Sequence, residues 1–306
     1  ISKNDMKSDK IIGALWMVVT TICFSLTLTF VRYIGTDMPA TQAAFIRYLA
    51  GAIMLAPFWV PVVRRLLITG KNQTDEAQKI KRKSLGFFIL RGAIHSIAVI
   101  LWFYATMHIP IAEVTAIGYS IPLYVTIGAA LFFGEEIKPY HFMALAIGFI
   151  GALIIIRPGF QEVSLGQLAQ IVASPIFAAS YLMAKKLSFK ESSMVIIGML
   201  SLFVSMIQIP MVLLVWVPPN FFDVMCLGFV AILATIGHYA MTQSFRLTPM
   251  TISQPVTYLQ LVWATIMGIY LFGDMFDIYV IIGGAMITLS ATVIAYLDTR
   301  NVSESI

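Results

Sequence analysis

The feature that most limits this chain is a series of ten apolar runs. They lie at about residues 11–34, 41–63, 84–107, 110–133, 140–157, 165–186, 193–216, 221–246, 249–272 and 276–297. Each is close to the roughly 20 residues a helix needs to cross the hydrocarbon core of a bilayer. Water does not reach that core, so every backbone N–H and C=O must pair within its own segment, and an α-helix does this. Charged residues are too scarce to cover a water-soluble surface. Of the 306 residues, 11% are Asp, Glu, Lys or Arg and 59% are hydrophobic, whereas a soluble domain carries about a quarter charged residues. The expected fold class is all-α integral membrane, with ten transmembrane helices and the lipid bilayer as its solvent.

Basic residues report orientation in such a protein. If the N-terminus is cytoplasmic, 16 of the 20 Lys and Arg fall on inside segments and two, Arg32 and Arg157, fall outside; Arg47 and Arg91 lie within spans. That imbalance predicts both termini in the cytoplasm, with the basic loop 64–83 beside them, in a bacterial inner membrane. The net charge of +5 is absorbed by this pattern, so no nucleic-acid partner is expected. The Lys-rich N-terminus ahead of the first run resembles a signal peptide, but the run is too long and lacks a small-residue cleavage site. It is read as the first span. A chain that opens on Ile1 is expected to have been trimmed or processed upstream. Cys23 and Cys226 sit inside apolar runs and match no disulfide or metal spacing. No metal or cofactor is expected.

The chain repeats itself. Shifted by 139 positions, residues 110–135 fall on 249–274: Pro110 meets Pro249, Tyr119 meets Tyr258, Thr126 meets Thr265, Ile127 meets Ile266, and Phe133 and Gly134 meet Phe272 and Gly273. The first segment is the fourth span and the second is the ninth. Five spans separate them, an odd number, so the halves would run in opposite senses. Inverted repeats of this kind belong to alternating-access transporters, whose site lies between the halves near the midplane.

Four stretches carry a family resemblance: LRGAIHSIAVILWFYA from Leu90, AIGYSIPLYVTIGAALFFGEEI from Ala116, ALAIGFIGALIIIRPG from Ala144, and HYAMTQSFRLTPMTISQPVTYLQLVWATIMGIYLFGD from His238. In this order, with a Gly-acidic pair ending the fourth and ninth spans, the chain resembles the EamA-type branch of the drug/metabolite transporter superfamily. The resemblance implies two inverted five-helix repeats, 11–157 and 165–297. It implies a central cavity lined mainly by spans 1, 3, 4, 6, 8 and 9, with spans 5 and 10 forming a scaffold or homodimer contact. It implies transport of a small organic metabolite of the amino acid, carboxylate, riboflavin or S-adenosylmethionine type.

Ionisable side chains within a membrane are costly and mark function by default. Arg91, two turns into the third span, is a candidate for an anionic substrate group at the cavity mouth. Arg47 in the second span reads as a packing residue. Glu113, His95 and His238 are candidates for proton coupling, because histidine titrates near neutral pH and a carboxylate in the first turn of a span can hold a proton. Tyr119 and Tyr258, related by the repeat, each follow a polar residue by one helical turn, Thr115 and Gln254, on the same face. These four are expected to line the pathway from opposite halves. Gln260, Trp263, Phe24 and Phe177 complete the expected substrate-binding set, with Pro122 and Pro255 positioned to kink the fourth and ninth spans. Gly148 and Gly151 read as close helix contacts.

Two other classes compete with a secondary transporter. An integral-membrane enzyme would need a catalytic signature, and no H-E-x-x-H or G-x-S-x-G is present. A channel-like facilitator would need a selectivity filter or a ring of charges, and neither is recognisable. No catalytic residue is assigned.

Overall fold

The computed structural model describes residues 3–34, 38–67, 75–109, 114, 117–156 and 164–272. Beyond these it describes only 278–279, 282–286, 289–290 and 293. Glu113 and Thr115 lie outside the described residues, as does most of the tenth run. The described residues hold eleven helices and no strand: α1 Lys3–Ile34, α2 Ala40–Met54, α3 Ala56–Leu67, α4 Asp75–His108, α5 Ile121–Phe133, α6 Pro139–Ile156, α7 Leu165–Ser188, α8 Ser193–Val215, α9 Phe221–Leu247, α10 Met250–Val256 and α11 Leu259–Phe272. Among them α1, α4, α7, α8 and α9 are each long and apolar enough to cross a membrane, and α2 with α3 makes a sixth if the bent pair is one span.

That bend corrects the expectation of one continuous helix over 41–63. The chain turns by 81° between α2 and α3. Pro57 supplies the cause: it has no N–H to offer the carbonyl of Ile53, and its ring crowds that carbonyl. Leu55 takes the break at φ −95 and ψ 8, and Trp59 Nε1 donates across it to Ala52 O at 2.8 Å.

Local capping sets where other helices begin. At Ser164 the hydroxyl accepts from Gln167 N at 3.2 Å while the Gln167 side chain accepts from Ser164 N at 2.8 Å. Asn220 and Asp223 repeat this reciprocal pairing at the start of α9. Each arrangement satisfies two helix-terminal N–H groups.

The fourth and ninth runs each break close to a repeat-related tyrosine. α5 is preceded by a turn at Tyr119–Ser120, and α10 is parted from α11 by a turn at Thr257–Tyr258. Pro122 and Pro255 sit beside these breaks, where the backbone tightens to bonds three residues apart, such as Leu123 N to Ser120 O at 3.1 Å and Leu261 N to Tyr258 O at 3.1 Å.

α1 packs most extensively on α9, and α4 on α7. Side chains tie neighbouring segments at opposite ends of the bundle. Lys185 Nζ on α7 donates to Phe245 O and Thr248 O, and Met250 N donates to Glu135 Oε1 at 3.1 Å. At the other end Gln42 clasps the backbone of Val217 with both amide atoms, at 2.6 and 2.8 Å. Large apolar residues face outward along many helices, among them Leu131, Phe132, Leu213, Leu214 and Tyr270. An apolar surface of this extent suits hydrocarbon, not water.

Candidate functional site

Between the ties lies a cavity of about 150 Å³. α1 contributes Thr20, Thr21, Phe24 and Thr27, and α2 contributes Arg47 and Tyr48. His95 and Trp102 come from α4, Tyr119 and Pro122 from the broken fourth run, and Gln170, Phe177 and Tyr181 from α7. His238 on α9 and Gln254 and Gln260 on either side of the α10–α11 break close the wall. Rings therefore dominate the lining, and three glutamine amides punctuate it. The Gln170 Oε1 atom is buried without a hydrogen-bond partner.

Four rings form a palindromic row across the cavity. Phe24 meets His238 edge-on at 5.0 Å between centroids, His238 meets His95 at 5.8 Å, and His95 meets Phe177 at 5.3 Å. The sequence order of partners mirrors itself: a phenylalanine of α1 on a histidine of α9, and a phenylalanine of α7 on a histidine of α4. The polar neighbours mirror as well, because Thr27 follows Phe24 by three residues as Ser180 follows Phe177. Their bonding differs. His95 Nδ1 lies 2.9 Å from the Ser180 hydroxyl, and its Nε2 lies 2.8 Å from the Tyr48 hydroxyl. His238 Nδ1 and the Thr27 hydroxyl are both buried without a partner.

Several sequence candidates meet here. Phe24, Phe177, His95, His238, Tyr119, Gln254 and Gln260 all line the cavity. Others are displaced. Tyr258 is fully buried and does not line it. Its hydroxyl donates to Tyr119 O at 3.3 Å and to Leu145 O at 3.2 Å, while the Tyr119 hydroxyl donates back to Tyr258 O at 3.3 Å. The two rings lie 4.8 Å apart. The helix breaks turn these tyrosines toward each other, and Gly148 lets α6 close over the second ring: a Cβ there would stand 2.5 Å from Tyr258 Cδ2. The pair is a seam between segments, not two walls of one chamber.

Arg91 is likewise displaced. It is buried away from the cavity and donates through Nε to Ser180 O at 3.3 Å and through a terminal nitrogen to Ile196 O at 3.2 Å. It stitches α4 to α7 and α8. Trp263 stands behind the wall, donating from Nε1 to the Thr21 hydroxyl at 3.0 Å.

Arg47 takes the place expected of Arg91. It lines the cavity, its guanidinium carbon lies 4.2 Å over the Tyr48 ring, and no carboxylate pairs with it among the described residues. No Asp or Glu among the described residues lines the cavity. A charge within an apolar run was the signal for Arg47, and its reading as a packing residue mistook its direction. Gln170 gave no signal beyond being an amide inside an apolar run. Among the described residues no three His, Cys, Asp or Glu side chains gather as a metal site.

Comparison with known proteins places this architecture. The chain is 24% identical over 303 residues to an S-adenosylmethionine uptake transporter of Rickettsia bellii, covering 99% of this chain and 100% of that one. It is 26% identical over 292 residues to a riboflavin transporter of Vibrio cholerae, covering 94% of each. It is 23% identical over 283 residues to a pseudopaline exporter of Pseudomonas aeruginosa, covering 91% of this chain and 94% of that one. A solved crystal structure shares the fold with a TM-score of 0.72 at 17% identity, over 96% of this chain and 98% of the other. The EamA-like transporter family matches residues 11–157 and again 164–296. With nearly its whole length matched in two blocks, this integral membrane protein belongs to the EamA-like transporter family and is a small-metabolite transporter, not an enzyme.

Proposed function

We propose that the chain is a secondary transporter that carries a flat, ring-bearing metabolite through the central cavity by alternating access of two inverted five-helix halves, 11–157 and 165–297. The observation that carries this reading is the lining itself: aromatic faces from both halves with glutamine amides between them. Rings stack on a planar solute at low entropic cost, and amides read its hydrogen-bonding edge. Relatives named for S-adenosylmethionine and for riboflavin share one chemical trait, a fused-ring heterocycle, and this cavity suits it.

The palindromic ring row and the reciprocal tyrosine bonds, 139 residues apart, support the inverted repeat. With that repeat, a pseudo-twofold axis would run between His95 and His238 and between Tyr119 and Tyr258. On this reading the first run pairs with the sixth, the third with the eighth and the fourth with the ninth. The preponderance of Lys and Arg on alternate connections supports cytoplasmic termini.

Reconstituted protein and a panel of S-adenosylmethionine, riboflavin and amino acids test this. One or more of the ring-bearing solutes should show saturable uptake and counterflow, and Phe177→Ala should raise the half-saturating concentration roughly two- to tenfold, the worth of one aromatic contact. Flux that rises linearly with concentration would favour a channel. Saturable flux unchanged in Phe177→Ala would remove the cavity from the path.

A further inference from the structure

Among the described residues the lining of the central cavity carries one fixed charge, Arg47, and no Asp or Glu. Two arginines are buried inside apolar runs, and they are matched differently. Arg91 is held by the carbonyls of Ser180 and Ile196. Arg47 is 7% exposed and makes no hydrogen bond and no ion pair among the described residues. Its guanidinium carbon lies 4.2 Å over the Tyr48 ring. An aromatic face attracts a cation, but it brings no negative charge to cancel it.

The polar groups that share its wall do not cancel it either. The Thr27 hydroxyl, Gln170 Oε1 and His238 Nδ1 line the same cavity, and each is buried without a partner. Gln254 and Gln260 line it too, and their side chains make no hydrogen bond among the described residues. None of these groups carries a negative charge near neutral pH. They supply dipoles that can orient around an ion pair once it forms.

No counter-ion fits behind Arg47. The packing of α2 on α8 and α9 leaves about 10 Å³ there, beside Gly51, Ser201 and Thr235, no more than a single water needs. A Cβ on Gly51 would already stand 3.2 Å from Ser201 Oγ. A group that matches the charge therefore comes from the central cavity. The 150 Å³ of that cavity is about ten times what one water needs, room for a ring that bears a carboxylate.

The chemistry selects the sign of the solute. A guanidinium offers donors only and keeps its charge. A buried cation is costly unless it is matched, and a solute that fills the cavity displaces the water around Arg47. A carboxylate restores the match through two parallel N–H···O bonds. A neutral amide brings one oxygen and no charge, and a second cation raises the cost. One guanidinium calls for one negative charge.

We propose that Arg47 is the specificity-determining residue of the central cavity: it selects a ring-bearing solute with a single carboxylate over neutral and cationic solutes of the same shape. The assignment to transport rests on the central cavity being the transport site. A phosphoryl group shares the chemistry of a carboxylate, so the test separates the two.

Benzoate, benzamide and benzamidinium share one planar shape and are negative, neutral and positive. Purified full-length protein is titrated with each while its melting is followed at constant ionic strength. Benzoate should stabilise it saturably, at a half-saturating concentration at least about tenfold below that of benzamide, and benzamidinium should bind most weakly. Phenyl phosphate, with a second negative charge left unmatched, should bind more weakly than benzoate. Arg47→Gln should bring benzoate and benzamide within about threefold of each other, and Arg47→Lys, which keeps the charge, should retain the preference for benzoate. Should Arg47→Gln fail to fold, the charge series in the wild type and in Arg47→Lys decides. Equal saturation by benzoate and benzamide, tightest binding of benzamidinium, or saturation by none of the three would overturn the proposal. So would a preference for benzoate that survives in Arg47→Gln or is lost in a folded Arg47→Lys. Phenyl phosphate binding tighter than benzoate would overturn the carboxylate assignment. Solute flux insensitive to Phe177→Ala, with the Arg47-dependent preference for benzoate retained, would overturn the central-cavity reading of transport and leave the charge selection standing.

Discussion

Tyr258→Phe deletes one hydroxyl that reaches two backbone carbonyls, Tyr119 O at 3.3 Å and Leu145 O at 3.2 Å. A hydroxyl has one hydrogen, so these acceptors share it, and both distances are long for an O–H donor. The net gain from such a bond is about 1 kcal/mol, and a buried carbonyl left unpaired adds to the loss. The expected destabilisation is about 1–2 kcal/mol. Tyr119→Phe, with one acceptor at 3.3 Å, should cost about 1 kcal/mol. The two rings are in contact at 4.8 Å between centroids, so the double variant should depart from additivity by about 0.5 kcal/mol or more. Tyr258→Ala removes a fully buried ring and should cost about 3–5 kcal/mol. Equilibrium unfolding in mixed micelles measures all four, and uptake by the same preparations measures apparent affinity. Because Tyr258 does not line the cavity, Tyr258→Phe should keep the wild-type half-saturating concentration. A Tyr258→Phe protein that unfolds like the wild type yet binds solute tenfold more weakly would refute this account and return Tyr258 to the binding site.

The two histidines should part company. His95→Gln breaks contacts to Tyr48 and Ser180 and should lower stability by about 1–3 kcal/mol, read by thermal melting. His238 has an unpartnered ring nitrogen, so His238→Gln should alter the pH profile of uptake if coupling runs through this pair; an unchanged profile in both variants would exclude it. For orientation, a cysteine at Gln73 should react with an impermeant maleimide only after the membrane is permeabilised, and labelling in intact cells would invert the assigned sidedness.

Apolar length made the helical, membrane-embedded class legible, because lipid leaves the backbone one economical choice. Helix breaks were legible at Pro122 and Pro255 but were missed at Pro57, which sits mid-run among residues as apolar as any other span. Rotation about a helix axis was the main thing hidden. Arg47 and Arg91 look alike in sequence, each a charge inside an apolar run, yet one turns to the cavity and the other to the carbonyls of Ser180 and Ile196. Depth follows from counting residues, but a shift of one position turns a side chain by 100°. On the proposed repeat, the kinship of Phe24 with Phe177 was hidden for another reason. They are 153 residues apart, and His95 and His238 are 143 apart, whereas the tyrosines are 139 apart. The polar loop 64–83 lengthens the first half after its second run, so no single shift aligns both halves. Gln170 had no pattern to reveal it.

The ring row is chemically even and energetically lopsided: His95 is bonded to Ser180, while His238 and Thr27 are left apart. A hydrogen bond worth about 1 kcal/mol is worth about a fivefold bias in a two-state equilibrium. If the halves trade conformations during transport, the bond at one end of the row opens as its twin at the other end closes. The sum then changes little, and the protein sits near balance between its two faces. A molecule poised in this way needs no large push from its cargo. The residual difference between serine and threonine, a single methyl group, would set which face is favoured at rest.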